Sequence, residues 1–538
     1  MIMFVSDAFS EQYCGGGELT TDAIIDASLF PVNKILSGEV NLKLMEKYRD
    51  AYWIFGNFSG IDSQSLMHAT KNLNYSVIEY DYKYCKFRSS KKHIAAEGKC
   101  QCSSSYAGKL IASFLGKSDR VFWMSEGQRD TYEAIYPFLK KKSFVLSSVF
   151  TEETLQHVAS LNTNKKNHKW IILNSPSWIK GTEDSILYAK ENNLEYELVW
   201  GLEYRDLLKK LAESRGLIFQ PRGLDTCPRL TIEAKLLDCE LILNDNVQHK
   251  DEPWFIEKEK IIPYLKSRPL AFWEEITLRA HKNLNISLIK NQKDNNFKII
   301  VPFYNAEKWV SKCIRSLKLQ RNTNFKCYLI DDMSDDNSAP VVKKQVEGDN
   351  RFVFVENKTK RFALGNIVNA IGQSNCSDED IIILLDGDDW LASSYTLDIL
   401  SKIYEEKNCL MTYGSYVYNP TGTRGIEPSK YPDEVVENNT FREDKWRASH
   451  LRSFKFSLWK NINHNDLKDE TGHYYKMAYD QAIMLPLLEM ASKRSYYIED
   501  SLYVYNKDNP ISVDKIKQLE QYNTAQLIRK KNKYTKIE

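Results

Sequence analysis

Three carboxylates fall together in Asp386-Gly387-Asp388-Asp389, directly after the apolar run IIILL. A short, continuously apolar run reads as a buried strand, and open α/β sheets receive ligands at the carboxyl ends of their parallel strands. Crowding three acids at one strand end is costly unless a cation or water compensates, so the cluster reads as a holder for a divalent cation. A cation held there neutralises the charge of a diphosphate. The same residues also suit a plain turn, because Asp-Gly favours turns and Asp caps helices.

Other chemistry-bearing residues flank this cluster in a definite order. KIIVPFYNAEKWVSKCIRSL reads as strand, turn and helix, and KCYLIDDMSDD puts a second acidic pair, Asp331 and Asp332, at another strand end. RFALGN, with Arg361, lies between that pair and Asp386. Further on, HYYKMAYDQAIMLPLLEMA places Asp480 just before an apolar helix, as a proton-accepting carboxylate or as a helix N-cap, with Asp469 and Glu470 as rivals in a polar loop. WRASHLRSFKFSLWK carries His450, Arg452 and Lys455, which would either close over a departing diphosphate or form the basic face of an amphipathic helix.

With its motifs in this order, the segment from Lys298 to about Pro510 resembles the family-2 glycosyltransferases of the GT-A fold. The resemblance implies that Pro302, Tyr304 and Arg361 line a nucleotide pocket and that Asp332 contacts the base. It also implies that Asp386 faces the ribose and that Asp388 and Asp389 hold Mn²⁺ or Mg²⁺. Family members are typically inverting, which gives Asp480 the part of catalytic base. Two departures stand out: Met333 follows the Asp pair where the family commonly has Gly, and RFALGN lacks an adjacent Arg-Asn.

In the amino-terminal half, CGGGELTTDAIIDAS follows the strand-like MIMFVSDAF, and a Gly-rich loop opening a helix can hold phosphate on its backbone N–H groups. Downstream, GLIFQPRGLDTCPRLTIEAKLLDCELILND sets Asp225 and Glu233 with seven residues between them, so that both carboxylates could face one cleft. This half resembles the family-4 glycosyltransferases of the GT-B fold. The resemblance implies that Glu233 binds the nucleotide ribose, Asp225 stands at the family's first Glu, Lys180 and Arg222 meet the diphosphate, and Gly16 and Gly17, with Gly15 and Glu18, line the cleft. The alternative is a GT-B-like module without activity, used for acceptor docking or assembly.

The elements that must position these residues are β-α units in three sets, an α/β fold with mainly parallel sheets. They divide the chain into an amino-terminal lobe at 1–150, a second lobe at 151–275, a polar linker at 276–296, the GT-A domain at 297–510 and a basic, solvated tail at 511–538. Cys85, His93, Cys100 and Cys102 share one polar stretch as candidate zinc ligands, although their spacing is not that of a standard finger; a loop with free thiols is the alternative.

The 538 residues carry 74 basic and 72 acidic side chains, a net charge of +2, so no global field draws nucleic acid. Without a secretory leader or a long apolar run, and with scattered cysteines, a cytoplasmic protein is expected. The whole reads as a bifunctional glycosyltransferase taking UDP- or GDP-sugars and passing sugars to a glycan or glycoconjugate acceptor. Two alternatives are that only the GT-A module turns over, or that the chain is a glycan- or nucleotide-binding assembly factor. Modified DNA or a protein side chain is a further possible acceptor.

Overall fold

The computed structural model describes residues 1–161, 166–280, 295–510 and 518–537. They fall into two compact units, one of Ile2–Ser28 and Val32–Ala280, the other of Met1, Leu29–Pro31 and the chain beyond Ala280.

The amino-terminal unit holds two parallel sheets. In the first, β1 (Ile2–Ser6), β2 (Val32–Leu36), β3 (Tyr52–Phe55), β4 (Asn74–Glu79), β5 (Val121–Trp123) and β6 (Ser143–Val145) lie in the order β2-β1-β3-β4-β5-β6. In the second, β7 (Trp170–Leu173), β8 (Tyr196–Val199), β9 (Gly216–Phe219) and β10 (Glu240–Leu243) lie in the order β10-β9-β7-β8. All of these except β2 are visible as apolar runs. Strand β2 is an edge strand whose Asn33 and Lys34 break the pattern, since an edge strand need not be buried on both faces.

Hydrogen bonds join the loops of the two sheets: Thr226 Oγ1 donates to the Tyr80 carbonyl at 2.8 Å, and the Tyr82 hydroxyl to Gln248 Oε1 at 2.6 Å. The helix Lys258–Ala280 then returns to the first sheet, where Phe272 packs 4.6 Å from the Phe122 ring and Glu275 pairs with Arg120 at 2.7 Å. Residues 276–280 of the expected linker therefore complete this helix, because Ile276 stands one turn beyond Phe272 on the buried face. Residues 281–294 of that linker lie outside the described residues.

The carboxy-terminal unit is built on one sheet of eight strands in the order β13-β12-β11-β14-β17-β16-β18-β15. Strands β11 (Phe297–Phe303), β12 (Phe325–Asp331), β13 (Phe352–Glu356) and β14 (Ile381–Leu384) are parallel and correspond to the four apolar runs. The aromatic-rich remainder supplies β15 (Trp390–Leu391), β16 (Met411–Asn419), β17 (Arg452–Lys455) and β18 (Ser495–Asn506), joined to the rest by the antiparallel pair β14–β17.

The carboxy terminus departs from the expected solvated tail. A helix, Gln518–Arg529, buries Ala525 and Ile528, and its one basic residue, Arg529, serves as a donor to carbonyls. Arg529 Nη1 donates to the Arg442 and Asp444 carbonyls at 2.7 Å, while Arg442 donates to the Ile528 carbonyl at 2.8 Å and makes a two-pronged pair with Glu489 at 2.6 and 2.9 Å. Residues 511–517 lie outside the described residues.

Both Arg442 and Glu489 are buried, so removing one charge strands the other. Glu489→Gln is expected to lower unfolding free energy by about 3 to 5 kcal/mol. Urea denaturation measures that loss, and faster amide exchange over residues 518–529 would show that the pair holds the terminal helix.

Candidate active site

Beyond β14 the chain keeps its grip on β11: Leu385 N donates to the Ile300 carbonyl at 3.1 Å and Gly387 N to the Pro302 carbonyl at 3.2 Å. A Cβ at Gly387 would stand 2.4 Å from the Phe303 Cβ, so only glycine lets the acidic turn lie this close. The carboxylates then separate by role. Asp389 is buried, with Oδ2 accepting from the Tyr503 hydroxyl at 2.6 Å and Oδ1 from Asn506 N at 2.7 Å. Burial first, and then the charges of Asp388 and Asp386, push its carboxyl well above the usual carboxylate range.

Asp386 and Asp388 are only partly buried. Asp386 Oδ1 accepts from the Tyr479 hydroxyl at 2.7 Å, and Asp388 Oδ2 from Asn509 Nδ2 at 2.7 Å. Asp389, expected beside Asp388 as a metal ligand, also anchors the turn to β18, each of its oxygens accepting a hydrogen bond within the protein. The remaining carboxylates fit a divalent cation: they are hard oxygen donors at the cavity wall, crowded enough that a positive ion relieves their repulsion.

A cavity of about 980 Å³ opens over this turn, and Pro302, Tyr304, Asp332, Asp386, Asp388, Asp389, His450, Arg452 and Asp480 all line it. The Tyr304 hydroxyl donates to Asp335 at 3.1 Å, which steadies its ring at the wall. Asp332 holds the loop beneath the cavity, accepting from the backbone N–H groups of Arg361 at 2.8 Å and Phe362 at 2.9 Å and from Asn357 Nδ2 at 3.0 Å. Asn366 sits beside it in the lining, buried, with its amide nitrogen lacking a partner among the described residues. Met333 has a φ of +62°, the left-handed region that favours glycine, which accounts physically for the Gly common at this position in the family.

Asp480 is not the helix cap. Ala478 occupies the cap of the helix Tyr479–Ala491, and Asp480 falls in the first turn, 3.7 Å from Arg452 Nη2. Arg452 is itself buried, with Nη2 also 3.2 Å from His450 Nε2 and Nε lacking a partner among the described residues. Burial opposes its charge, but Asp480, Tyr479 and Asp386 outweigh that and raise its pKa. His450 is driven the other way, by burial and then by Arg452, and stays neutral.

Two expected residues lie elsewhere. Lys455 pairs with Ile381 at the far end of the β14–β17 ladder, whereas Arg452 is opposite Leu384 beside the acidic turn, and the lysine bonds Glu379 at 2.7 Å. Arg361 is exposed and lines a neighbouring cavity with Lys360 and His473. Sequence patterns passed over Asn366, Tyr479, Tyr503, Asn506 and Asn509. Tyr503 and Asn506 sit among many similar residues, and only the pairing of β18 brings them to the acidic turn, whereas Tyr479 reaches it from the first turn of a helix.

In the amino-terminal unit, Gly15 caps the helix Gly16–Asp26, and a Cβ at Gly16 would lie 3.6 Å from Arg229 Cδ, while one at Gly17 would lie 3.7 Å from Asn57. The expected donor-binding charges are engaged within the protein. Lys180 bonds Asp225 at 2.6 Å, and Arg222 pairs with Glu183 at 2.9 Å and with Asp184. Glu233 is buried, accepting from the Tyr204 hydroxyl at 2.7 Å and from Arg229 Nε at 3.4 Å.

The protein is 23% identical over 216 residues to "Glycosyltransferase GlyA" of Streptococcus pneumoniae, an alignment covering 39% of this chain and 30% of that protein. An "Uncharacterized glycosyltransferase" of Haemophilus influenzae is 30% identical over 175 residues, 31% of this chain and 67% of its own. Among solved structures, residues 1–349 of Staphylococcus aureus TarS in complex with UDP-GlcNAc overlay at a TM-score of 0.34 and 18% identity, covering 43% of this chain and 65% of that one, a likeness too loose to carry an argument.

The chain carries a glycosyltransferase domain. Residues 298–464 match the model of Glycosyl transferase family 2, and through this domain the chain belongs to that family.

The acidic turn depends on Gly387, so Gly387→Ala is expected to cost about 1 to 3 kcal/mol through overpacking against Phe303. Gly372, helical and with open space around its Cβ position, is the control: Gly372→Ala should stabilise by about 0.4 to 1 kcal/mol. Thermal or urea unfolding of the two variants reads both signs.

Proposed function

We propose that the carboxy-terminal unit transfers a sugar from a nucleoside diphosphate donor to a glycan acceptor with inversion, using Asp480 as base. The observation that carries this reading is the convergence of Asp386, Asp388, Arg452 and Asp480 on one cavity from three separate stretches of sequence. A bound Mn²⁺ or Mg²⁺, held by Asp388 with Asp386 beside it, would supply positive charge to the diphosphate. Arg452 contributes a fixed cation whose Nε–H, without a partner among the described residues, suits a phosphate oxygen. Asp332 and Asn366 offer an acceptor and a donor side by side, the pattern that reads a nucleobase edge.

The acceptor side is aromatic. Tyr416, Tyr418 and Tyr505 line the cavity with ring centroids 5.1 to 5.9 Å apart, a surface suited to the apolar faces of sugars. Asp480, beside Arg452, takes the proton of the acceptor hydroxyl as that oxygen attacks the anomeric carbon from the face opposite the diphosphate. Arg452, 3.7 Å away, orients the carboxylate.

For the amino-terminal unit, two parallel sheets joined through their loops support a GT-B-like arrangement. The pairing of Lys180 with Asp225 and the burial of Glu233 favour acceptor docking over a second transfer, because the groups that would meet a donor are already partnered within the protein.

Asp480→Asn should leave donor affinity within about threefold while lowering kcat for transfer by about 10² to 10⁴. Asp388→Asn should abolish the Mn²⁺ dependence of UDP- or GDP-sugar hydrolysis. Calorimetry with UDP and Mn²⁺, run beside the turnover assay, separates binding from catalysis. Transfer at the native rate by Asp480→Asn would sink the base assignment.

A further inference from the structure

We infer that Cys85, His93, Cys100 and Cys102 form a structural zinc site in the amino-terminal unit, separate from the transferase cavity. Their four ligand atoms all lie within 4.8 Å of one another. Cys85 Sγ is 3.8 Å from Cys100 Sγ and 3.6 Å from His93 Nδ1, and Cys102 Sγ is 3.3 Å from the same nitrogen. Tetrahedral zinc, with bonds of about 2.3 Å to sulfur and about 2.0 Å to nitrogen, separates its ligand atoms by about 3.5 to 3.8 Å. These three spacings lie close to that polyhedron, and the Cys85 and Cys100 sulfurs stand well beyond the roughly 2.05 Å of a disulfide.

The surroundings fit the ion as well. His93 turns Nδ1 toward the sulfurs and leaves Nε2 3.0 Å from Glu97, which pairs with Lys86 at 2.7 Å. A metal-bound histidine characteristically donates its other ring N–H to a carboxylate, which sets the tautomer and strengthens the ligand. The chain is shaped to close the site: Gly98, at a φ of +77°, ends the helix Ser90–Glu97 and turns the chain back toward Cys85, bringing Cys100 and Cys102 with it. Cys85, Cys102 and His93 are buried, and four protein ligands leave no open position, so the site is structural rather than catalytic.

Zinc here fixes the excursion between β4 and the helix Tyr106–Lys117. That excursion also carries Arg88, which bridges Asp7 at 3.3 Å and Asp81 at 3.1 Å, and Lys91, which bonds Asn246 beyond β10. The ion thus stiffens a loop that reaches from the end of β1 to the loops of the second sheet.

Full-length protein expressed with zinc and purified without chelator should contain about one zinc per chain by mass spectrometry. The Co²⁺-exchanged chain should show the visible absorption and sulfur-to-cobalt charge transfer of a tetrahedral thiolate site. Asp388→Asn and Cys376→Ser should retain both signals, Cys100→Ser should lose them, and Glu97→Gln should weaken metal affinity about 10- to 100-fold. The Co²⁺ spectrum uses the native chain, so it stands even if Cys100→Ser misfolds. Folded protein with neither zinc nor the thiolate–cobalt bands, or a Cys85–Cys100 disulfide in freshly purified chain, would overturn the assignment.

Discussion

Three carboxylates at the end of one strand repel each other, and the carboxy-terminal unit is organised around making that arrangement stable. Asp389 goes inward and takes hydrogen bonds from Tyr503 and Asn506, which draws β18 against the turn that follows β14. The same Tyr503 hydroxyl accepts from Asp386 N at 3.3 Å, and its ring stacks on His450 with centroids 4.3 Å apart. His450, kept neutral by burial and by Arg452, can sit against the guanidinium without adding a second positive charge. From Asp389 the contacts therefore run through Tyr503, His450 and Arg452 to Asp480, linking the anchored acid to the proposed base.

The parallel half of this unit is readable from sequence because its strands are buried on both faces. FKIIVPF and IIIL are almost uninterrupted apolar runs, and the acids at their ends mark the ligand side. The antiparallel half conceals itself. Strand β16 reads MTYGSYVYN and pairs with β18 through a register shift at Gly414 and Ser415, so neither strand shows a simple alternation. The misplacement of Lys455 has the same origin. On a helix, residues three apart share a face, which would have put Lys455 beside Arg452. On a strand they point to opposite faces about 10 Å apart along the chain, and only Arg452 stays at the acidic end.

Charge type and spacing alone also leave open which charges neutralise which. Asp225 and Glu233 have the separation of a donor-binding pair, yet the fold gives Asp225 to Lys180 and Glu233 to Tyr204 and Arg229. Arg229 follows a proline in an unremarkable stretch, and nothing in its neighbours signals that it will be buried with its guanidinium 3.8 Å from the Phe150 ring centroid. The cysteine cluster shows the converse. Its spacing fits no standard pattern, but Gly98 reverses the chain so that irregular intervals in sequence become regular intervals in space.

The terminal helix explains how the other side of the cavity is held. Asp386 and Asp388 are fixed by the sheet, but Tyr479 and Asp480 ride on the helix Tyr479–Ala491, which lies outside the strand ladder. Glu489 near the end of that helix binds Arg442, and Arg442 and Arg529 exchange hydrogen bonds with carbonyls across to Gln518–Arg529, whose Gln518 and Gln521 also reach the cavity wall. A segment with the composition of a solvated tail thus buttresses the helix that carries the proposed base. Because a proton-transfer group must be held to within a fraction of an ångström, that support belongs to the site as much as the acidic turn does.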